Sequence, residues 1–270
     1  MCAHGLIPQE MAPILCGANL TPLRKKDGGV RPIAVGEVLR RLACKALLST
    51  GMAKEEISLL APEQVGVGVS RGAESVALGF DSLLGCMGPH AKGWAALQVD
   101  VSAAFPTVSR QHVLQETTKD APSLYNALKF SLSKSSPVYC GDKILYAETG
   151  VPQGCPLAPV AFSLAIQPIL RTISKSMVLI WNVWYLDDGL LVGDPGKLGE
   201  ALTFLESELL KRVLTLNCKK MRTMGPGRTC STPFRQHPCH CMGTRFGYHP
   251  SRCANPGLDG SSEKGVGHTP

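Results

Sequence analysis

Two adjacent carboxylates, Asp187 and Asp188, interrupt an apolar stretch that runs from Val178 to Trp184 and resumes at Leu190-Leu-Val192. Two strand-like runs around a short polar break predict a β-hairpin with acids at its tip. Like charges this close stay ionised only where water or cations reach them, which points to a metal-dependent site. Asp-Gly is also a favoured hairpin turn, so Asp187-Asp-Gly189 read alone is open to a purely structural explanation. A second acid favours chemistry. Trp94 to Val99 reads as a buried strand ending in Asp100, with Pro106 closing the segment. If the two strands share a sheet, Asp100, Asp187 and Asp188 meet, and three crowded carboxylates need roughly two divalent cations to stay ionised. Such a set serves in-line phosphoryl or nucleotidyl transfer, in which two metals about 4 Å apart activate the attacking oxygen and stabilise the leaving one.

Positioning those acids requires strands alternating with helices, and the pattern supplies them. Residues 20 to 35 read as strand, turn, strand around Lys26-Asp-Gly-Gly29. Val38, Leu39, Leu42, Ala43 and Leu47 mark the inner face of a helix, with Arg40, Arg41 and Lys45 expected outside, on a solvated face or along a nucleic-acid track. Gly66, Gly68 and Gly72 precede a helix near 73 to 86, at a spacing unlike that of a phosphate-binding loop. Ser109 is placed to cap one helix, and a second runs from Pro122 to Leu132. Pro137 to Cys140 and Lys143 to Ala147 form a hairpin. Val160, Phe162, Leu164, Ala165, Ile169 and Leu170 predict a long buried helix. Leu202, Leu205, Leu209 and Leu210 give the apolar face of a last one, from Leu198 to Val213.

The motifs Asp100-Val-Ser-Ala-Ala-Phe105, Gly150-Val-Pro-Gln-Gly-Cys-Pro-Leu157 and Tyr185-Leu-Asp-Asp188 stand in one order and spacing, between Leu20-Thr-Pro-Leu-Arg-Lys-Lys-Asp-Gly-Gly-Val-Arg-Pro-Ile33 upstream and Leu214-Thr-Leu-Asn-Cys-Lys-Lys220 downstream. Taken together they resemble the reverse transcriptases of eukaryotic retroelements, over roughly residues 18 to 222. The resemblance implies an α+β polymerase right hand, fingers and palm, with an antiparallel palm sheet packed on helices. Residues 1-19 read as an N-terminal remnant, 20-222 as fingers and palm, and 223-270 as a disordered or degenerate tail in which no thumb is recognisable. That tail is rich in Gly and Pro and lacks any sustained period, and its Cys and His spacings match no zinc-finger or knuckle pattern.

Roles follow from the resemblance. Asp100, Asp187 and Asp188, with the Val101 carbonyl, are implied to hold two Mg²⁺ ions, for which Mn²⁺ could substitute. Lys25, Lys26 and Arg31 would bind the incoming triphosphate. Phe105 would reject a 2′-hydroxyl and so select deoxynucleotides. Gln153 and Gly154 would contact the nucleotide from the other side, Tyr185 would approach the primer end, and Lys220 would orient the triphosphate or protonate pyrophosphate. The implied partners are dNTPs and an RNA or DNA template with its primer; protein partners are not indicated.

Composition permits this reading without selecting it. A chain of 270 residues, 44% hydrophobic and 18% charged, can bury one sizeable core. A net charge of +7 suits a polyanionic partner. No apolar run approaches the length of a membrane span and no secretory signal opens the chain, so no membrane contact is expected and an intracellular location, nuclear or cytoplasmic, is. Eleven cysteines show no disulfide framework. Two other readings stand beside the polymerase: a catalytically inactive retroelement remnant with weak nucleic-acid binding, and a different two-metal enzyme such as a nuclease. The nuclease leaves the basic upstream motif and Phe105 without a purpose.

Overall fold

The computed structural model describes residues 7–24, 28–87 and 93–225. Two sheets organise them. The first has the order β2-β1-β4-β5, from β1 (Ala18–Arg24), β2 (Val30–Gly36), β4 (Ser136–Cys140) and β5 (Lys143–Ala147). β1 and β2 are an antiparallel hairpin in which Pro22 faces Pro32, and β1 joins β4 in parallel only at Ala18 and Asn19. Neither proline can donate a ladder hydrogen bond, and both stand beyond the short β1–β4 pairing. The second sheet is antiparallel. Its central strand β3 (Ala95–Ser102) pairs on one side with β7 (Asp188–Gly193), which pairs with β6 (Leu179–Tyr185). The other side of β3 takes β8 (Thr215–Leu216) and β9 (Arg222–Met224), one after the other along its length. Thr223 and Met224, which the sequence pattern assigns to the tail, therefore sit in a strand.

Alternation along β3 explains where the acid ends up. Leu97, Val99 and Val101 point into the main core, as does Leu191 of β7. The opposite face carries Ala96, packed in a separate cluster with Trp94 and Val192, and by the two-residue period of a strand it also carries Gln98 and Asp100. Asp100 is thus turned away from the main core.

Nine helices of the described residues cover these sheets. α1 (Ala12–Leu15) follows a 3₁₀ turn at Gln9–Met11 and packs with Cys16 against Phe130. α2 is Val38–Leu48, α3 Gly51–Ser58, α4 Gly72–Met87 and α5 Ala104–Thr107. α6 (Arg110–Asp120) is capped by Ser109, whose hydroxyl accepts from the His112 N–H; α7 is Pro122–Leu132. α8 (Ala158–Ser176) contributes more buried residues than any other described element, with all six residues of its predicted core face inside. α9 (Pro195–Lys211) starts at Asp194, whose carboxylate accepts from the Gly196 and Lys197 N–H groups.

One expected face is overturned and another is corrected at a single residue. On α2, Val38, Leu39 and Leu42 are exposed (62%, 71% and 58%), while Arg40 is buried at 5% beside Cys44. Gly36 makes this possible: a Cβ there would lie 1.9 Å from Arg40 Nη2, so the guanidinium occupies space only a glycine leaves. On α9, Leu202, Leu205 and Leu209 are buried, but Leu210 is on the outside. α3, with its cap at Thr50 and only Ala53 and Ile57 buried, has no counterpart in the sequence reading. No helix of the described residues is long and apolar enough to cross a membrane.

Candidate active site at the acidic hairpin

The hairpin of β6 and β7 turns through Leu186 and Asp187, with Tyr185 paired to Asp188. The turn falls two residues earlier than Asp188-Gly189, the pair whose turn chemistry competes with a functional reading in the sequence. Leu186 takes φ +57°, a left-handed conformation unusual for a leucine. Asp188 lies directly opposite Asp100 in the β3–β7 register, which puts both side chains on one face. Asp187 is tied to the same place through its carbonyl, which accepts the Val101 N–H at 3.3 Å. Lys220 reaches the cluster from beyond β8. The Asn217 N–H donates to the Asp100 carbonyl at 2.8 Å, a turn follows with the Lys220 N–H on the Asn217 carbonyl, and Lys220 Nζ donates to Asp100 Oδ2 at 3.3 Å.

The electrostatics are those of an under-neutralised acidic cluster. Burial, opposed by a backbone hydrogen bond and reinforced by the charges of Asp188 and Asp100, pushes the Asp187 carboxyl above the ordinary carboxylate range. Asp188 is raised by burial first and by Asp100 second, with Lys220 acting against them. Among the described residues no three His, Cys, Asp or Glu side chains close on a single point as a finished metal site would. The acids are gathered, and one of them is paired with a lysine.

A cavity of about 630 Å³ opens beside them. Its wall brings together Arg31, Phe105, Gln153, Gly154, Tyr185, Asp187 and Asp188, from four separate segments of chain. Arg41 and Lys45 of α2 also line it. Asp100, Val101 and Lys220 are not part of that wall. Lys25 and Lys26 lie outside the described residues. Phe105 is half-buried, stacked on Phe162 with ring centroids 5.1 Å apart, and still reaches the cavity, so it serves core and site at once. The Gln153 loop is docked to the first sheet: the Ala34 N–H donates to the Gln153 carbonyl at 2.7 Å. Gly154, at φ +116°, passes so close that a Cβ would sit 2.6 Å from the Ala34 carbonyl oxygen. The Gln153 Oε1 is buried without a hydrogen-bond partner among the described residues.

Sequence reasoning missed Gln64, whose side chain holds Leu186. No local signal marks a contact made across 122 residues.

An antiparallel sheet on a helical layer, faced by a second sheet across this cavity, is the fold of a nucleic-acid polymerase. It is similar to solved telomerases. One from Candida albicans, in complex with a TWJ fragment of telomeric RNA, matches with a TM-score of 0.55 and 15% identity over 83% of this chain and 44% of that one. Two from Candida tropicalis, both apo and one truncated from its C-terminal domain, also score 0.55, at 11% and 13% identity over 82% and 81% of this chain and 46% and 52% of theirs. This chain thus spans about half the length of the telomerases it matches, and at such identities the likeness is one of fold. No curated protein matches. The sequence profile of the family described as reverse transcriptase (RNA-dependent DNA polymerase) matches residues 23–246. The chain belongs to that family.

Proposed function

We propose that this chain is the fingers and palm of a retroelement RNA-directed DNA polymerase, which joins dNTPs to a primer 3′-hydroxyl on an RNA template. One observation carries the reading: Arg31, Phe105, Gln153 and Tyr185 converge on the same cavity as Asp187 and Asp188. A nuclease needs the acids but has no use for the nucleotide-sized space between a basic strand and an aromatic floor. The chemistry of the donor set suits a divalent cation, because its donors are hard carboxylates, Asp188 lies opposite Asp100 in register, and burial and neighbouring acids raise the Asp187 and Asp188 carboxyls. Asp100, Asp187 and Asp188, with the Val101 carbonyl, would hold Mg²⁺, two ions in all. Bound divalent ions supply activation of the hydroxyl and neutralise charge at the transferring phosphate. The chain's own residues do the rest. Arg31, with Lys25 and Lys26 shortly before it in the sequence, neutralises the triphosphate. Phe105, fixed by Phe162, occupies the space a 2′-hydroxyl would need. Tyr185 borders the primer end. Lys220, whose ammonium donates to Asp100 Oδ2, would stand ready to serve the departing pyrophosphate.

The test is extension of a primer on an RNA template with dNTPs and Mg²⁺, run beside Asp187→Ala and Asp188→Ala. Extension by the parent that both variants abolish is the expected result. A folded parent that extends nothing would overturn the reading in favour of an inactive remnant.

A further inference from the structure

We propose that Gln64 is a positioning residue that fixes the geometry of the acidic turn and hence the placement of Asp187 and Asp188; the claim rests on the polymerase reading above. Gln64 is completely buried. Its Oε1 accepts the Leu186 N–H at 2.8 Å and the Gly66 N–H at 3.0 Å, and its Nε2 donates to the Leu186 carbonyl at 3.2 Å. One carboxamide thereby satisfies both peptide groups of a single residue. The three contacts also fix the amide's orientation, because the reverse one would set NH₂ against two N–H donors.

The residue so held is the one that most needs holding. Two-residue hairpins usually place Gly, Asn or Asp where φ is positive. Here the position belongs to Leu186 at φ +57°, a conformation that costs a non-glycine residue free energy and persists only where its surroundings impose it. Nothing in the Leu186-Asp187 pair itself selects this turn, so the selection comes from outside the hairpin. Gly66 completes the clamp: a Cβ there would lie 2.7 Å from the Leu186 nitrogen and 2.8 Å from its Cγ.

The clamp is itself anchored independently of Gln64. The Val65 N–H donates to the Trp184 carbonyl at 2.8 Å and the Trp184 N–H to the Glu63 carbonyl at 2.6 Å, which lays residues 63 to 65 along β6 as an extra parallel rung. From the other side Gln167 of α8 donates to the Leu60 carbonyl at 3.0 Å. The loop is therefore a fixed frame, and Gln64 transmits its position to the turn. Asp187 follows Leu186 directly, so a rotation of the Leu186 peptide moves the Asp187 carboxylate and its carbonyl bond to Val101.

Gln64→Leu removes all three contacts at similar volume. Gln64→Glu keeps the acceptor but replaces the donor with an oxygen facing the Leu186 carbonyl, and it serves as the second variant if Gln64→Leu does not fold. Three readouts are taken on folded protein. Amide hydrogen exchange of residues 184–188 should accelerate in both variants. Mn²⁺ affinity should weaken. In primer extension, kcat should fall by about 10- to 100-fold, the effect of displacing a reacting group by about 1 Å, while KM for dNTP changes by less than about 3-fold. Loss of thermal stability with unchanged kcat and Mn²⁺ affinity would reduce Gln64 to a structural role and overturn the proposal, as would unchanged exchange at the turn. A parent that extends no primer would sink the polymerase reading instead; exchange and Mn²⁺ affinity would then still decide the positioning claim.

Discussion

The sharpest consequences at the scale of the residue come from buried charge. Asp187 and Asp188 both carry carboxyls raised by burial and by their acidic neighbours. A group whose folded pKa is raised contributes stability that is fully present below the unfolded value and is lost as pH rises through the folded one. In metal-free protein these acids therefore destabilise the fold at neutral pH, and Asp188→Asn should raise its Tm while abolishing extension. Mg²⁺ should reverse the penalty in the parent: at ten times its Kd it adds about 1.4 kcal/mol. Thermal melts with and without Mg²⁺ should show that gain in the parent and little of it in Asp188→Asn. A second buried charge is Arg40, whose Nε and Nη2 lack partners among the described residues and whose Nη1 lies 3.6 Å from Cys155 Sγ. A hydrogen bond from Cys44, followed by the Arg40 charge, brings the Cys155 thiol down to about 6 against the effect of its own burial. Because this pKa is lowered, its contribution to stability is present above the ordinary thiol value, about 8.5, and is lost as pH falls through about 6. Alkylation of Cys155 by a small reagent should hold its rate from pH 9 to 7 and drop below about 6. In Arg40→Met the inflection should move up toward the free thiol value, and an unmoved inflection would show that Cys44 alone sustains the thiolate.

Elements join where the Gln153 loop meets β2, and that joint rests on Gly154. Its φ of +116° and the 2.6 Å gap to the Ala34 oxygen leave no room for a side chain. Gly154→Ala should cost about 1–3 kcal/mol in thermal or denaturant unfolding and raise KM for dNTP, since the loop carrying Gln153 must lift off Ala34. An unchanged Tm would mean that the backbone yields at little cost. Elements are also the scale at which the sequence was most legible. Strong local patterns, such as the apolar run of α8, the Ser109 cap of α6 and the strand pairs flanking Asp100 and Asp187, carry their own structure. α2 does not. Its Val38, Leu39 and Leu42 stripe has helical spacing and yet faces outward, because the deciding contacts are between Arg40, Gly36 and Cys155, from three separate segments. The candidate site divides in the same way. Its acids and most of its cavity-lining residues lie in short contiguous motifs, whereas Gln64 acts by a long-range contact that no local period records, and the spacing of Arg41 and Lys45 fits a solvated face as well as a nucleic-acid track.

At the scale of the molecule, two sheets face one cavity and are held in relation by few groups. Arg110 of α6 donates to the carbonyls of Lys134, Ala147 and Gly150, tying the helical layer beside the acids to the β4–β5 hairpin of the other sheet. Between the sheets, Arg31, Arg41 and Lys45 supply positive charge on the wall opposite Asp187 and Asp188. A chain of net charge +7 binds polyanions through many weak contacts, so affinity alone would not show that this wall is used. The salt dependence would. Each phosphate contact contributes about 0.9 to the slope of log K against log salt, whatever its share of the affinity. Arg41→Gln should therefore weaken binding of an RNA template annealed to a DNA primer and flatten that slope by about 0.9, measured by fluorescence anisotropy from about 50 to 200 mM salt. Exposed Lys197, paired with Glu200 on α9, is the control, and Lys197→Gln should leave the slope unchanged. Equal flattening in both variants would mean that the duplex samples the whole basic surface. Flattening in Arg41→Gln alone would place the phosphate backbone across the cavity, within reach of the acids that the hairpin presents.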